Sequence, residues 1–290
     1  MQVLESKPIV EQLYATVRRL TATCIENKIE PHLAVVLVGE DPESVHFATL
    51  KQKAAKENGV ILSLYHIKEK DGGQAVEDVL HFLAKDPDIH GIILQLPLPE
   101  SMQSETDRLL SLIPLEKDVD ALNGQWEKPV QQWLKEHLEA GLADLYTLPI
   151  SVSPMVLAVH SLLTYYKIPF QGKKVVTVGM GKLVGQPVSH WYRLLGCQVE
   201  MVDENTEKIF SITSEADILV TGTGEPNLVT YQWIKEGATV INAARDVHVD
   251  SVGQVAGALS PETGGVGPLT VAWLIWNTVQ AAVRQGGVEL

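Results

Sequence analysis

Cysteine is nearly absent from this chain: 290 residues contain two, Cys24 and Cys197, far apart and without metal-ligand spacing. That argues against a disulfide framework and a cysteine-built zinc site. Basic residues are also in short supply, 23 against 36 acidic for a net charge of −13, and no Lys/Arg-rich run occurs. A nucleic acid or an anionic membrane needs a basic face, so neither is expected as a partner. No uninterrupted apolar run approaches the ~18 residues of a membrane span. The opening MQVLESKPIVEQL is charged and amphipathic, without the apolar centre of a signal peptide. A reducing cytoplasm is the expected compartment. What is present is the balance of a soluble globular protein, 45% hydrophobic and 20% charged, long enough for two cores.

Helical and strand patterns alternate, which predicts an α/β fold with parallel sheets covered by helices. Helices are expected near Pro8–Asn27, Glu43–Asn58 and Gln74–Lys85, with strands at Leu33–Val38, Ile61–Ile67 and Gly91–Gln95. Between Asp120 and Pro154 the alternation breaks, leaving one amphipathic stretch at Val130–Leu142. A helix near Ser151 opens a second unit, with strands at Lys174–Val178, Gln198–Val202, Asp217–Thr221 and Thr239–Asn242 and a helix at Val184–Leu195. That order fits a nucleotide-binding half. An amphipathic helix at Leu269–Arg284, opened by Pro268, closes the chain. Residues 1–150 and 151–268 are thus read as two α/β domains.

Five motifs carry chemistry. Ser44, Phe47 and Lys51 share one helix face at i, i+3 and i+7. QLPLP at Gln95–Pro99 ends a buried strand with a polar side chain, which reads either as a loop anchor or as a ligand contact. EKDVD at Glu116–Asp120 holds three carboxylates in five residues, an exposed charge run or a site; without His or Cys beside it a metal is not expected. The loop Gly179-x-Gly181-x-x-x-Gly185 follows a strand and opens a helix, with Asp203 at the next strand's end. Glycines let backbone approach a pyrophosphate, the helix N-terminus offers amides, and Asp203 suits a ribose diol. GGVGPLT at Gly264–Thr270 makes a glycine-rich turn before a helix, suited to close ligand approach.

Together these motifs resemble the bifunctional methylenetetrahydrofolate dehydrogenase/cyclohydrolase family over most of the chain. The resemblance implies a folate-binding first domain, a Rossmann-like second domain and a final helix, residues 269–290, returning to the first domain. The ligands would meet in a cleft between the domains of a homodimer. It implies that Lys51, tuned by Gln95, relays protons, and that Asp120 binds the pterin edge. Ser44, Phe47 and Pro97 join the folate pocket, and the GGVGPLT turn contacts folate through Gly265, Pro268 and Thr270 and the nicotinamide through Gly267. Gly179, Gly181, Gly185 and Asp203 would hold the dinucleotide. Expected activities are NAD(P)-dependent oxidation of 5,10-methylenetetrahydrofolate and hydrolysis of the methenyl product.

Several positions depart from the family pattern. Phe47 replaces a tyrosine, Ala121-Leu122-Asn123 follows the acidic motif where the family has Gly, an aromatic and His, and NAARD follows Ile241. These changes suggest weakened hydride transfer, leaving open a redox-silent transferase acting on a second, amine substrate, or a non-catalytic relative. Asp203 and Glu204, with Met180 in an arginine's place, favour NAD over NADP, because two carboxylates repel a 2′-phosphate. The segment Ala121–Ile150, longer than the family's link, reads either as a lid carrying Trp126 and Trp133 or as plain surface cover.

Overall fold

The computed structural model describes residues 1–136 and 144–288. In chain order it shows β1 (Gln2–Val3), α1 (Lys7–Glu26), β2 (His32–Val38), α2 (Pro42–Glu57), β3 (Ile61–Ile67), α3 (Gly72–Lys85), β4 (Gly91–Leu94), α4 (Thr106–Leu110) and α5 (Glu127–Glu136). There follow α6 (Pro154–Tyr165), β5 (Lys174–Val178), α7 (Gly185–Leu194), β6 (Gln198–Val202), α8 (Ile209–Thr213), β7 (Ile218–Thr221), β8 (Thr239–Asn242), α9 (Val249–Val252), β9 (Ala258–Leu259) and α10 (Val266–Gly286). The part of the expected amphipathic stretch beyond residue 136 lies outside the described residues.

Two compact units result. One is built on a three-stranded parallel sheet, order β3-β2-β4, and holds Glu11–Val130, Leu148–Pro154 and the chain from Val271 onward. β2 and β4 are buried almost throughout, as the apolar runs HLAVVLV and GIIL require of strands covered on both faces. Val36, Ile92 and Leu94 pack there with Val76, Leu80 and Leu83 of α3. At the start of α2, Asp41 accepts the Ser44 amide at 2.7 Å and Pro42 occupies the first turn, where a missing N–H costs nothing.

The other unit has a six-stranded parallel sheet, order β1-β9-β8-β7-β5-β6, with Val176, Val178, Leu219, Val240 and Leu259 in its core. It includes Met1–Val10 and Met155–Thr270. Residues 1–10, read from sequence as part of the first domain, therefore fold with the second sheet. Gln2 pairs with Ala258 and Val3 with Leu259, and the Leu4 amide donates to the Leu259 carbonyl at 2.9 Å. Two-residue strands leave no periodic signal, so neither β1 nor β9 was legible. The last helix also begins three residues earlier than the pattern suggested, placing Pro268 inside its first turn rather than ahead of it.

α10 passes a length-and-apolarity test for a membrane span, yet 78% of its most apolar window is buried within the protein. Its Asn277 side chain is buried, which suits a core helix.

Candidate active site

In the three-stranded sheet the chain goes from β2 to β3 on one side and then crosses to β4 on the other, a switch point of the kind where open parallel sheets take ligands. α2 leaves the carboxyl end of β2 and carries Ser44, Phe47 and Lys51. Gln95 follows the last residue of β4. Beside β4, the Ile92 amide donates to the Lys117 carbonyl at 2.8 Å, and an isolated parallel bridge pairs Ile92 with Asp118. Three separate stretches thus deliver Lys51, Gln95 and Asp120 to one sheet edge.

Lys51 Nζ donates to Gln95 Oε1 at 2.6 Å, and Gln95 Nε2 donates to the Leu96 carbonyl at 2.7 Å. The second bond fixes the amide so that its oxygen faces the lysine. Gln95 is buried, and one side chain both anchors the loop and holds Lys51. Lys51 and Asp120 are half-buried as whole residues, but their charged ends are drawn away from water. Burial lowers the Lys51 pKa, and Asp120 opposes that shift. Burial likewise raises the Asp120 pKa, with Lys51 opposing. An amine whose charged form burial disfavours, set beside a carboxyl group, is suited to take and return a proton.

Ser44 is buried at the start of α2, where Asp41 accepts its amide, whereas Phe47 is 40% exposed. Pro97, after a cis peptide bond, is exposed at the corner following β4. These three positions carry a hydroxyl, a ring and an apolar edge.

The EKDVD run divides its labour. Lys117 is buried and donates from Nζ to the carbonyls of Leu83 (3.3 Å) and Asp86 (2.5 Å), closing the C-terminus of α3. Asp118 is buried and accepts the Asn123 amide at 2.8 Å. Sequence reasoning missed both roles, because tertiary position alone separates them from a solvated charge run. Replacing Lys117 by Met removes the charged donor and leaves each carbonyl only a long backbone partner, the Asp86 amide on Leu83 and the Ile89 amide on Asp86, both at 3.3 Å. We expect the unfolding free energy to fall by ~1–3 kcal/mol, read as a lower urea midpoint; an unchanged midpoint would contradict this cap.

In the six-stranded unit the glycine loop links β5 to α7. Gly179 has φ +100°, and a Cβ on it would stand 2.7 Å from the Gly222 carbonyl oxygen. A Cβ on Gly185 would overlap the Gly179 carbonyl, while Gly181 faces open space. The loop is thus closely folded at its two ends and open at its middle. At the end of β6, Asp203 Oδ1 accepts from the Asn205 amide and Thr206 Oγ1, both at 3.0 Å. Met180 is 39% exposed.

NAARD has a structural job that the sequence did not disclose. Asp246 is fully buried and its carboxylate accepts the amides of Thr223 (2.8 Å) and Gly224 (2.9 Å), pinning the loop after β7. Asn242 Oδ1 in turn accepts the Asp246 amide at 3.0 Å.

GGVGPLT lies in the same unit. Gly264 has φ +79° and its carbonyl accepts from both the amide and the hydroxyl of Ser6. Gly265 sits against the Pro261 carbonyl too closely for any Cβ, and Gly267 and Pro268 fall in the first turn of α10. Thr270 Oγ1 donates back to the Val266 carbonyl at 3.0 Å. Trp126 and Trp133 are both buried.

Two family models match the chain: the tetrahydrofolate dehydrogenase/cyclohydrolase catalytic domain over residues 4–120 and the NAD(P)-binding domain of the same family over residues 153–286. The bifunctional protein FolD of Moorella thermoacetica is 34% identical over 293 residues, covering 98% of this chain and 99% of that one. The Campylobacter jejuni FolD methylenetetrahydrofolate dehydrogenase/cyclohydrolase superposes with a TM-score of 0.83 at 29% identity, over 98% of this chain and 99% of its own. The Trypanosoma brucei methylenetetrahydrofolate dehydrogenase-cyclohydrolase, solved with NADP and an inhibitor, also gives 0.83, at 28% identity over 97% of each chain.

Proposed function

The chain belongs to the tetrahydrofolate dehydrogenase/cyclohydrolase family, and on that premise we propose that it oxidises 5,10-methylenetetrahydrofolate with a nicotinamide dinucleotide and hydrolyses the methenyl product. The observation that carries this reading is the Lys51–Gln95 bond of 2.6 Å with Asp120 beside it. The relatives described above are dehydrogenase/cyclohydrolases or FolD proteins, which favours this reading over a redox-silent transferase or a non-catalytic binder.

In the hydrolytic step a water oxygen bonds to the methenyl carbon and its proton passes to the neutral Lys51 amine. The remaining hydroxyl proton leaves as the carbonyl forms and the carbon–N5 bond breaks, N5 takes the proton held by Lys51, and the 10-formyl product results with one proton released to solvent. Gln95 keeps the amine aimed, and Asp120 accepts from the donor edge of the pterin. Ser44, Phe47 and Pro97 line that pocket in this proposal. Folate contact by Gly265, Pro268 and Thr270 rests on the family pattern.

The glycine loop fits a dinucleotide: Gly179 and Gly185 leave no room for side chains where the backbone turns, and Gly181 is open. Gly179, Gly181 and Gly185 would hold the pyrophosphate and Asp203 the ribose, with Gly267 near the nicotinamide, which supplies hydride acceptance when bound. Asp203 and the exposed Glu204 favour NAD over NADP. One like-charge contact near water is worth ~1 kcal/mol, so NAD should bind roughly five- to tenfold tighter. Calorimetry showing tighter NADP binding would reverse that assignment. By family analogy the proposal includes a cytoplasmic homodimer.

The deciding experiment incubates the protein with methylenetetrahydrofolate, with and without NAD or NADP, and follows reduced nicotinamide and folate products together. Dinucleotide-dependent formation of 10-formyltetrahydrofolate is expected. A 10-formyl product without nicotinamide reduction, or no turnover with either dinucleotide, would sink the bifunctional reading.

A further inference from the structure

The turn that follows Asp120 is held under strain by a neighbour the mechanism does not use. Ala121 has φ +56°, a left-handed conformation that costs a residue with a Cβ roughly 1–2 kcal/mol. It is 4% exposed and its amide reaches the Asp118 carbonyl only at 3.4 Å. What closes the turn is the Asp118 side chain, whose Oδ2 accepts the Asn123 amide at 2.8 Å and toward which the amides of Leu122 and Ala121 also turn. Asn123 is fixed in its own right, donating from Nδ2 to the Ile113 carbonyl at 3.1 Å and accepting the Gln125 amide at 2.9 Å. From the other side, Asn277 Nδ2 of α10 donates to the Val119 carbonyl at 2.8 Å and the Val152 carbonyl at 2.9 Å. Asp120 thus sits between two clamped peptides, and its own carboxyl group is the one left for the site.

We propose that Asp118 is a positioning residue, which through its bond to the Asn123 amide holds the left-handed turn closed and fixes Asp120 in place beside Lys51. The role assigned to Asp120 rests on the folate reading above; the geometry of the clamp does not. Burial pushes the Asp118 carboxyl up to about 7, with Asp120 adding to the shift and the turn amides opposing it. The acceptor oxygen is available in either protonation state. The charged groups that bear on this cluster are therefore Asp118 and Asp120 on the turn and Lys51 on α2.

The test compares Asp118→Ala, which deletes the acceptor, with Asp118→Asn, which keeps an acceptor oxygen and removes the charge. Two readouts are taken on the full-length protein after its fold has been checked by circular dichroism. The first is the titration of the Lys51 amine by NMR with isotope-labelled lysine, which needs no substrate. Asp120 holds the Lys51 pKa up, so freeing the turn should move it lower in Asp118→Ala, while Asp118→Asn stays near wild type. The second is hydrolysis of methenyltetrahydrofolate, expected to fall ~10²-fold in Asp118→Ala because a small misplacement is enough, and to recover largely in Asp118→Asn. If Asp118→Ala does not fold, Asn123→Pro deletes the same bond from the donor side. An unmoved Lys51 titration in folded Asp118→Ala, or in Asn123→Pro where that variant stands in for it, overturns the proposal, as does an equal shift in Asp118→Asn, which would reflect charge alone. A wild-type protein inert toward folates overturns the functional reading instead, and the titration still decides the role of Asp118.

Discussion

Lys51→Met should lower methenyltetrahydrofolate hydrolysis by ~10²–10⁴-fold, the usual contribution of a general acid–base group, in a protein that remains folded. Methionine matches the length of the lysine stem, so packing along α2 is kept while the amine is lost. Gln95 Oε1 then loses its 2.6 Å donor, and Asp120 loses the positive charge that opposes its upward shift. The pH dependence follows in sign. Lys51 must be unprotonated to take a proton from water, and burial sets its pKa below the ordinary 10.5. The wild-type rate should therefore rise with pH and level off below that value, and the variant should show no such limb. Stopped-flow loss of methenyl absorbance across pH measures both effects. Near-wild-type turnover in Lys51→Met would remove lysine from the mechanism.

Gly185→Ala is expected to disable the dinucleotide half alone. The first residue of α7 lies so near the Gly179 carbonyl that one added methyl forces the loop to open. Overpacking of this kind costs ~1–3 kcal/mol, equivalent to a ~5–150-fold loss in NAD affinity. Dehydrogenase turnover should fall with it. Hydrolysis of supplied methenyltetrahydrofolate uses Lys51, Gln95 and Asp120 and should persist. Equal loss of both activities would mean that the substitution had collapsed more than the loop.

The regular elements were legible because their apolar patterns are local. GIIL and KVVTV read as buried strands without knowledge of their neighbours, and the glycine spacing at Gly179–Gly185 announced a loop before its geometry was known. Local reasoning failed where a residue's meaning comes from afar. Lys117 and Asp118 are both charged side chains in one run, yet one caps α3 and the other closes a turn. Asp246 looked only like a departure from a family pattern, whereas it pins the Thr223 and Gly224 amides. A faint signal did exist for the acidic motif. Val119, apolar in the middle of EKDVD, is fully buried, and a buried residue drags its neighbours inward.

The pairing of β1 with β9 has a consequence for biosynthesis. Gln2 must wait for Ala258, 256 residues later (258 − 2), before it has a partner. At a translation rate of ~5–20 residues per second that delay is ~13–50 s. Throughout it Gln2 and Val3 lack their native strand partner, although α1 next to them can already form. A fragment started near residue 151 would meet the converse problem, with β9 presenting a bare strand edge to other chains. Aggregation of that fragment, cured by adding back a peptide of residues 1–10, would be its signature.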